Sequence, residues 1–150
     1  MVKNKQLDFW NGTFGDSYNQ RNYFDEERLR QTKVVFERVL KGLDVTSILE
    51  IGTNIGINLM AIRHILGEKV DLYALEPNKI AYDDISKNNE ISLKKGFNCS
   101  VFDMPLEKNS IDLVFTKTVL IHIAPENLKE AMQKMVDVSK KYTLYGIFFS

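Results

Sequence analysis

Short apolar runs alternate with amphipathic segments along the chain after Asp44, and this pattern predicts an α/β domain built around a parallel sheet. Five runs have the length and apolar character of buried strands. We expect these strands at Ser47–Gly52, Val70–Glu76, Gly96–Val101, Ile111–Lys117 and Tyr142–Phe149. Helical spacing of apolar residues between the runs predicts helices at Ile57–Leu66, Asn78–Asn88 and Pro125–Ser139. Right-handed crossover connections then give a doubly wound sheet.

The first part of the chain has a different pattern. Residues 1–24 are rich in aromatic side chains without a clean period, so we interpret them as an N-terminal arm, or lid, on a core of residues 25–150. Asp25 is a good N-cap for a first core helix that Gly42 ends. Two interpretations of the arm aromatics Phe9, Trp10 and Phe14 remain open: they line a ligand pocket, or they pack on the end of the sheet.

Composition narrows the classes of protein to consider. The 150 residues carry 20 basic and 20 acidic side chains, which argues against a broad nucleic-acid surface. No apolar stretch approaches the roughly 20 residues of a membrane span and no secretion signal is apparent, so we expect one cytoplasmic domain. Cys99 is the only cysteine, and no His/Cys cluster has metal-ligand spacing, so we predict no disulfide and no metal.

The most informative segment is the turn G-T-N-I-G at Gly52–Gly56, which follows the first strand and leads into a helix. Gly52 supplies a turn conformation closed to side chains, Gly56 would let the backbone pass close to a ligand, and Asn54 tolerates a left-handed backbone. Glu76, at the end of the second strand, can accept hydrogen bonds from both hydroxyls of a ribose. The alternative is that these are ordinary turn glycines and a solvated strand end.

Glycine spacing distinguishes between ligand classes. The third glycine of the dinucleotide fingerprint is missing, and so is the Lys-Ser/Thr ending of a phosphate-binding P-loop. Together with Glu76, the loop therefore favours an adenosine-like ligand over a diphosphate.

Several segments resemble successive motifs of class I S-adenosylmethionine-dependent methyltransferases. They are Ile48–Gly56, Glu76, Cys99–Leu106 and Ser110–Phe115. More narrowly, Phe9–Asn22 and Val114–Ile123 resemble the pseudaminic-acid-biosynthesis-associated methylases. The resemblance implies a Rossmann-like sheet in the order 3-2-1-4-5, S-adenosylmethionine as cofactor with S-adenosylhomocysteine as product, and a small-molecule acceptor such as a sugar or a nucleotide-activated sugar.

The resemblance also implies a set of cofactor-binding residues. They are Tyr18, Arg21, Asn22, Glu50, Gly52, Thr53, Asn54, Gly56, Asn58, Glu76, Pro77, Ser100, Val101 and Lys117. In this arrangement Glu50 and the glycine-bearing loop surround the methionine part, and Glu76 holds the ribose. Ser100 and Val101 face the adenine edge, and Lys117 lies beside the sulfonium. The three arm residues form a lid over the carboxylate of the cofactor.

His122 is the candidate general base, because it follows the fourth strand on the ligand side of the sheet and an acceptor hydroxyl or amine would need to lose a proton. The alternative is that His122 is a packed loop histidine. We expect the other histidine, His64, to face solvent from its helix.

The fifth strand is apolar enough for the interior of a sheet, yet the order 3-2-1-4-5 puts it at an edge. We therefore expect a second copy of the chain to cover it in a homodimer; the competing explanation is a shortened gene product. Two other functions stay open beside a methyltransferase. One is a cofactor-binding or partner subunit without activity of its own, and the other is a nucleotide-binding oxidoreductase.

Overall fold

The computed structural model describes residues 5–21 and 24–146, with side chains for 8–17 and 24–146. Its helices are α1 Lys5–Asn11, α2 Thr13–Arg21, α3 Glu26–Leu40, α4 Ile57–Leu66, α5 Lys79–Ser86 and α6 Pro125–Val138. Its strands are β1 Ser47–Ile51, β2 Asp71–Leu75, β3 Lys95–Phe97, β4 Ile111–Lys117 and β5 Ser139–Gly146. Short 3-10 turns lie at Gly67–Lys69, Val101–Asp103 and Leu120–His122.

The five strands form one sheet in the order β3-β2-β1-β4-β5, and every neighbouring pair is parallel. This confirms the predicted α/β class and strand order. Successive β1 residues point to opposite faces, as the strand period requires. Ile48 packs in the cluster that includes α3 and α4, whereas Leu49 packs in the cluster that includes α6. The sheet is therefore covered by helices on both faces, and the carboxyl ends of its central strands lie at one edge.

The first two strands are each shorter than predicted by one residue at one or both ends, and two others differ by more. The third strand ends at Phe97, not Val101, where its pairing with β2 stops. The side chain of the next residue, Asn98, donates to the carbonyls of Glu76 and Pro77. The fifth strand begins at Ser139, a residue predicted to be helical. Its backbone is already extended there, while its hydroxyl donates to the Met135 carbonyl at the end of α6. Residues 147–149 of the predicted strand lie outside the described part of the chain.

The helix predicted after Asp25 is confirmed as α3. The Asp25 carboxylate accepts a hydrogen bond from the Glu27 amide at 3.0 Å, as an N-cap residue should. Leu29, Phe36 and Leu40 are buried on one face of the helix and anchor it on the sheet.

The arm contains two helices that its sequence pattern did not predict, because helices of 7 and 9 residues are too short to show an apolar period. Phe9 and Phe14 stack on each other with ring centroids 4.0 Å apart, and about half of the Phe9 surface stays exposed. Trp10 instead turns toward the core. Trp10 lines the cleft described below, and Phe9 and Phe14 contact each other and the Trp10 ring.

The edges of the described sheet are β3 and β5. Most β5 side chains are half-buried, and Lys140 and Lys141 are exposed at its start. Among the described residues, no helix is long and apolar enough to span a membrane.

Candidate functional site

A cleft opens at the carboxyl ends of β1, β2 and β4, where ligands bind in open α/β sheets. Its walls come from the β1–α4 loop, the β2–α5 loop, residues 100–101 and 117–123, with Trp10 and Gly15 of the arm above. The cavity volume is about 160 Å³, more than ten times the roughly 10–15 Å³ that one water needs. The cleft can therefore hold a small organic ligand.

Gly52 makes the first turn of the cleft possible. Its φ is +75°, and an added Cβ would overlap the Val119 side chain across the cleft. Its amide donates to the Leu75 carbonyl at 2.8 Å, which ties the loop to the end of β2. Asn54 has the expected left-handed backbone, with φ +51°.

Gly56 has a different role from the one expected. Its φ is +81°, but a Cβ there would meet Ile91 and Ile85 in the core, and Gly56 does not line the cleft. Glycine is required here by the positive φ and by the close packing of the start of α4 on Ile85 of α5 and on Ile91 after it.

Glu76 is a buried carboxylate at the rim of the cleft, with 7% of its surface exposed, so the solvated strand end is excluded. Its Oε2 accepts from the Asn54 amide at 2.7 Å and its Oε1 from the Asn78 amide at 2.9 Å. Burial raises the pKa of Glu76, and these two amides partly oppose the shift. Each oxygen keeps a further lone pair, so the carboxylate is fixed in orientation and can still accept hydroxyl donors. Pro77, the next residue, also lines the cleft.

Glu50 and Asn58 form a buried polar pair behind the loop. Asn58 Nδ2 donates to Glu50 Oε1 at 2.6 Å, while Glu50 Oε2 and Asn58 Oδ1 have no hydrogen-bond partner among the described residues. Asn58 lines the cleft, whereas Glu50 is sealed behind it with 1% exposed. Burial raises the pKa of Glu50 to about 8, opposed by the Asn58 hydrogen bond and the charge of Lys117. Thr53, also expected in the site, lines the cleft and donates to the Glu50 carbonyl at 3.3 Å.

Lys117 ends β4 and is half-buried in the cleft wall. Burial lowers the pKa of its ammonium, the Glu50 carboxylate raises it, and the Arg28 guanidinium lowers it again. Arg28, on α3, also lines the cleft and was not among the predicted site residues. Nothing in its helical sequence context signalled this, because its position over the cleft depends on how α3 crosses the sheet.

Ser100 and Val101 line the cleft beyond β3, as expected, although Val101 begins a 3-10 turn that Ser100 caps and neither residue is in a strand. The Ser100 hydroxyl accepts from the Phe102 amide at 3.2 Å and donates to the Asp103 carboxylate at 2.8 Å. Neighbouring Cys99 is half-buried, and burial raises the pKa of its thiol to about 11, which favours the small apolar role over a nucleophile.

His122 lies on the opposite wall, where its ring packs against Trp10 with centroids 4.5 Å apart. Burial lowers its pKa below the ordinary 6.5, so the imidazole is neutral at pH 7. His122 is thus both packed and open to the cleft, which keeps the role of general base available. His64 is exposed, as predicted.

The three predicted lid residues are described only in part. Tyr18 and Arg21 lie in α2, but their side chains are outside the described residues, and Asn22 is outside altogether. Within the described part of the chain, no group of three or more His, Cys, Asp or Glu side chains could hold a metal ion.

Comparison with protein families gives one match. A family described as "Methyltransferase domain" matches residues 48–142, more than half of the chain. No curated protein sequence matches the chain.

Solved structures share the fold at low sequence identity. A putative S-adenosyl-L-methionine-dependent methyltransferase from Methanococcus maripaludis has a TM-score of 0.73 and 16% identity, over 99% of this chain and 68% of its own. Magnesium protoporphyrin IX methyltransferase from Synechocystis PCC 6803, solved with bound SAM, has a TM-score of 0.67 and 11% identity, over 96% and 77%. A SAM-dependent methyltransferase from Aquifex aeolicus has a TM-score of 0.59 and 20% identity, over 81% and 72%.

Proposed function

This chain belongs to the methyltransferase domain family, and we propose that its cleft binds S-adenosylmethionine and that it transfers the methyl group to a small-molecule acceptor. One observation carries the proposal. Glu76 is buried at the end of β2, and two backbone amides hold its carboxylate at the rim of the cleft. A ribose needs such an acceptor for its two hydroxyls.

The other polar groups around the loop fit the same cofactor. Within the described residues, three buried side-chain oxygens have no hydrogen-bond partner: Glu50 Oε2, Asn54 Oδ1 and Asn58 Oδ1, of which the last two belong to residues that line the cleft. Buried acceptors without partners are costly, and a ligand that brings N–H donors would satisfy them. The ammonium group on the methionine part of S-adenosylmethionine has three N–H donors. We therefore assign the methionine part to the Asn58 side of the cleft and the ribose to Glu76.

When bound, S-adenosylmethionine supplies a methyl group on a sulfonium, which an acceptor attacks in line. The protein then has to hold the acceptor, exclude water and remove a proton. Positioning alone accounts for up to roughly 7–11 kcal/mol in favourable cases. Val119 and Ile123 are apolar residues of the cleft wall that contains His122. Neutral His122 can take the proton of an acceptor hydroxyl at its unprotonated ring nitrogen.

We propose a hydroxyl of a sugar or nucleotide-activated sugar as the acceptor. The support is the narrower resemblance, which rests on Phe9–Asn22 and Val114–Ile123. These segments are far apart in sequence, but Trp10 of the first and His122 of the second are in ring contact beside the cleft. The two segments thus contribute to one wall, where an acceptor would bind.

We also propose that a second copy of this chain pairs along β5, an edge strand of the described sheet. Sedimentation equilibrium at several concentrations tests this directly. A mass of one chain at every concentration would contradict it.

Titration calorimetry with S-adenosylmethionine and S-adenosylhomocysteine tests cofactor binding. We expect wild type to bind both and Glu76→Ala to lose at least tenfold in affinity. Asp71→Ala is the matched control, because Asp71 begins the same strand with an exposed side chain. Absence of binding by folded wild type up to millimolar concentration would contradict the proposal.

A methyl-transfer assay over a panel of sugars and nucleotide-activated sugars tests the acceptor. Once an acceptor is found, His122→Gln should lower kcat by about 10²–10⁴-fold with little change in cofactor affinity. An unchanged kcat would remove His122 as the base and leave it a packing role.

A further inference from the structure

Asn78 connects the ribose carboxylate to the helix that follows it. Its backbone amide donates to Glu76 Oε1 at 2.9 Å, and its side-chain Oδ1 accepts from the Ala81 amide at 3.0 Å as the N-cap of α5. Asn78 is buried, with 3% of its surface exposed. Asn78 therefore helps to hold Glu76 at the rim of the cleft, together with the Asn54 amide.

The other end of the Asn78 amide binds the arm. Nδ2 donates to Asp16 Oδ1 in α2 at 2.8 Å and to the Trp10 carbonyl at the end of α1 at 3.3 Å. Both N–H bonds of the amide are then used. Gly15 permits this approach, because a Cβ there would overlap the Trp10 carbonyl and press on Asn78 Nδ2.

The arm also reaches the opposite wall of the cleft, where the Trp10 ring packs on His122. Trp10 thus bridges the β2 side and the β4 side of the same cavity. The rest of the described arm is mostly exposed, including Asp8, Phe9 and Ser17. Exposed segments open locally at a lower free-energy cost than the core does.

We infer that Asn78 is a positioning residue that couples docking of the arm to recognition of the ribose by Glu76. The inference rests on the proposed function. A docked arm holds Asn78, and Asn78 holds the carboxylate that accepts the ribose hydroxyls. Thermodynamic linkage makes the effect reciprocal, so a bound ribose also favours the docked arm. Asp16, which does not line the cleft, acts on the ribose site through Asn78.

Asn78→Asp is the sharpest test, because aspartate caps a helix as well as asparagine does and keeps the backbone amide. It removes the Nδ2 donor and places a carboxylate against Asp16. We expect at least a fivefold loss of S-adenosylhomocysteine affinity with α5 intact by circular dichroism. The double variant Asn78→Asp/Asp16→Asn restores a donor and an acceptor in exchanged places, and its loss should be smaller than that of the single variant.

Two further readouts separate coupling from general damage. Trp10 is the only tryptophan, so its fluorescence reports the arm directly. It should change saturably with S-adenosylhomocysteine in wild type and be red-shifted in ligand-free Asn78→Asp. Adenosine affinity should fall in the variant, whereas the affinity of 2′,3′-dideoxyadenosine, which lacks both ribose hydroxyls, should be the same in both proteins. Asp8→Ala, an exposed arm change, is the control.

The outcomes distinguish this inference from the proposed function. If wild type does not bind S-adenosylhomocysteine, both are overturned. If it binds, but Asn78→Asp keeps wild-type affinity or loses affinity equally for adenosine and dideoxyadenosine, the coupling is overturned and the cofactor site stands.

Discussion

Helix α4 has a buried polar cluster at each end, and the two differ in how well their hydrogen bonds are satisfied. At the carboxyl end, Arg63 donates to four carbonyls at 2.7–3.0 Å. At the amino end, the Glu50–Asn58 pair shares one hydrogen bond, and two of its oxygens have no partner in the part of the chain that the structure describes. Both clusters are buried. Only the second cluster lies at the cleft. We therefore interpret its unpaired acceptors as a sign of ligand binding, and the hydrogen-bonded Arg63 cluster as a stabilising part of the fold.

Replacing Arg63 tests the structural end and should give the largest effect. Arg63→Met leaves the carbonyls of Gly67, Val70, Ile91 and Ser92 without their donor. We expect a loss of about 3–5 kcal/mol in the free energy of unfolding, measured by denaturant titration. Affinity for S-adenosylhomocysteine under folding conditions should stay within about twofold.

His64→Ala provides the control for Arg63, since His64 is the exposed neighbour on the same helix. It should change stability by less than about 0.5 kcal/mol. A loss below about 1 kcal/mol in the free energy of unfolding of Arg63→Met would contradict a structural role for the Arg63 end of α4. A loss of ligand binding without a loss of stability would contradict it as well.

Gly52, in the turn before α4, offers the second test. Gly42, which follows α3 and has a similar φ, is the glycine to compare it with. Gly52 and Gly42 have φ +75° and +80°, but an added Cβ meets Val119 only at Gly52. Gly42→Ala should cost about 1–2 kcal/mol for the left-handed backbone, and Gly52→Ala about 2–4 kcal/mol. Calorimetric melting measures both. Gly52→Ala should also weaken cofactor binding, which Gly42→Ala should not.

Adding Val119→Ala to Gly52→Ala separates strain from overlap. The double variant should recover stability relative to Gly52→Ala if overlap with Val119 is the cause. Equal costs at the two glycines, or no recovery, would show that the turn is limited by backbone conformation alone.

Glu50→Gln tests the ligand end through its pH dependence. Glu50 has a pKa of about 8 in the folded chain and about 4.5 when unfolded. Between these values the folded state holds one proton more, so wild-type stability falls as pH rises from about 4.5 to 8. Glutamine cannot ionise, and the stability of Glu50→Gln relative to wild type should therefore increase across this window, by an amount on the order of a few kcal/mol.

The same substitution should weaken S-adenosylhomocysteine binding by about tenfold at pH 8, where wild-type Glu50 can lose its proton to match an ammonium group. Glu37→Gln on the exposed face of α3 serves as the control for removal of one charge. A stability difference that is the same at pH 5 and pH 8 would contradict a buried Glu50 carboxyl with a raised pKa.

The two ends of α4 also differ in how far the sequence alone predicted them. Glu50, Gly52 and Asn54 lie within one strand-turn-helix segment, and Glu76 ends the next strand, so a local pattern and the crossover rule bring them together. Arg63 has no such signal, because its acceptors Ile91 and Ser92 are 28 and 29 residues away. Contacts set by the packing of separate elements were missed for this reason.

The same limit applies to the arm and to the strand ends. Asp16 and Asn78 are 62 residues apart, and neither helix of the arm carries a periodic pattern. The end of β3 depends on Asn98 reaching the carbonyls of the β2–α5 loop. The parallel α/β sheet followed from alternating patterns and its strand order from the family resemblance, whereas these bounds involve single side-chain hydrogen bonds that no pattern encodes.

His122, on the wall opposite α4, is a third polar group to compare with the two clusters. Its titration should have the smallest effect on the free energy of unfolding. Its pKa lies below 6.5 because burial disfavours the imidazolium, so it stays neutral as the pH falls past the value at which an exposed histidine would titrate. The unfolded state then binds more protons, and acidification below pH 6.5 should lower stability slightly until the folded-state pKa is reached. Trp10 fluorescence reports this titration because the two rings are in contact, and His122→Gln should abolish the transition. A midpoint at or above 6.5 would mean that His122 is solvated or paired with an acid, and a neutral base packed under the arm would then be ruled out.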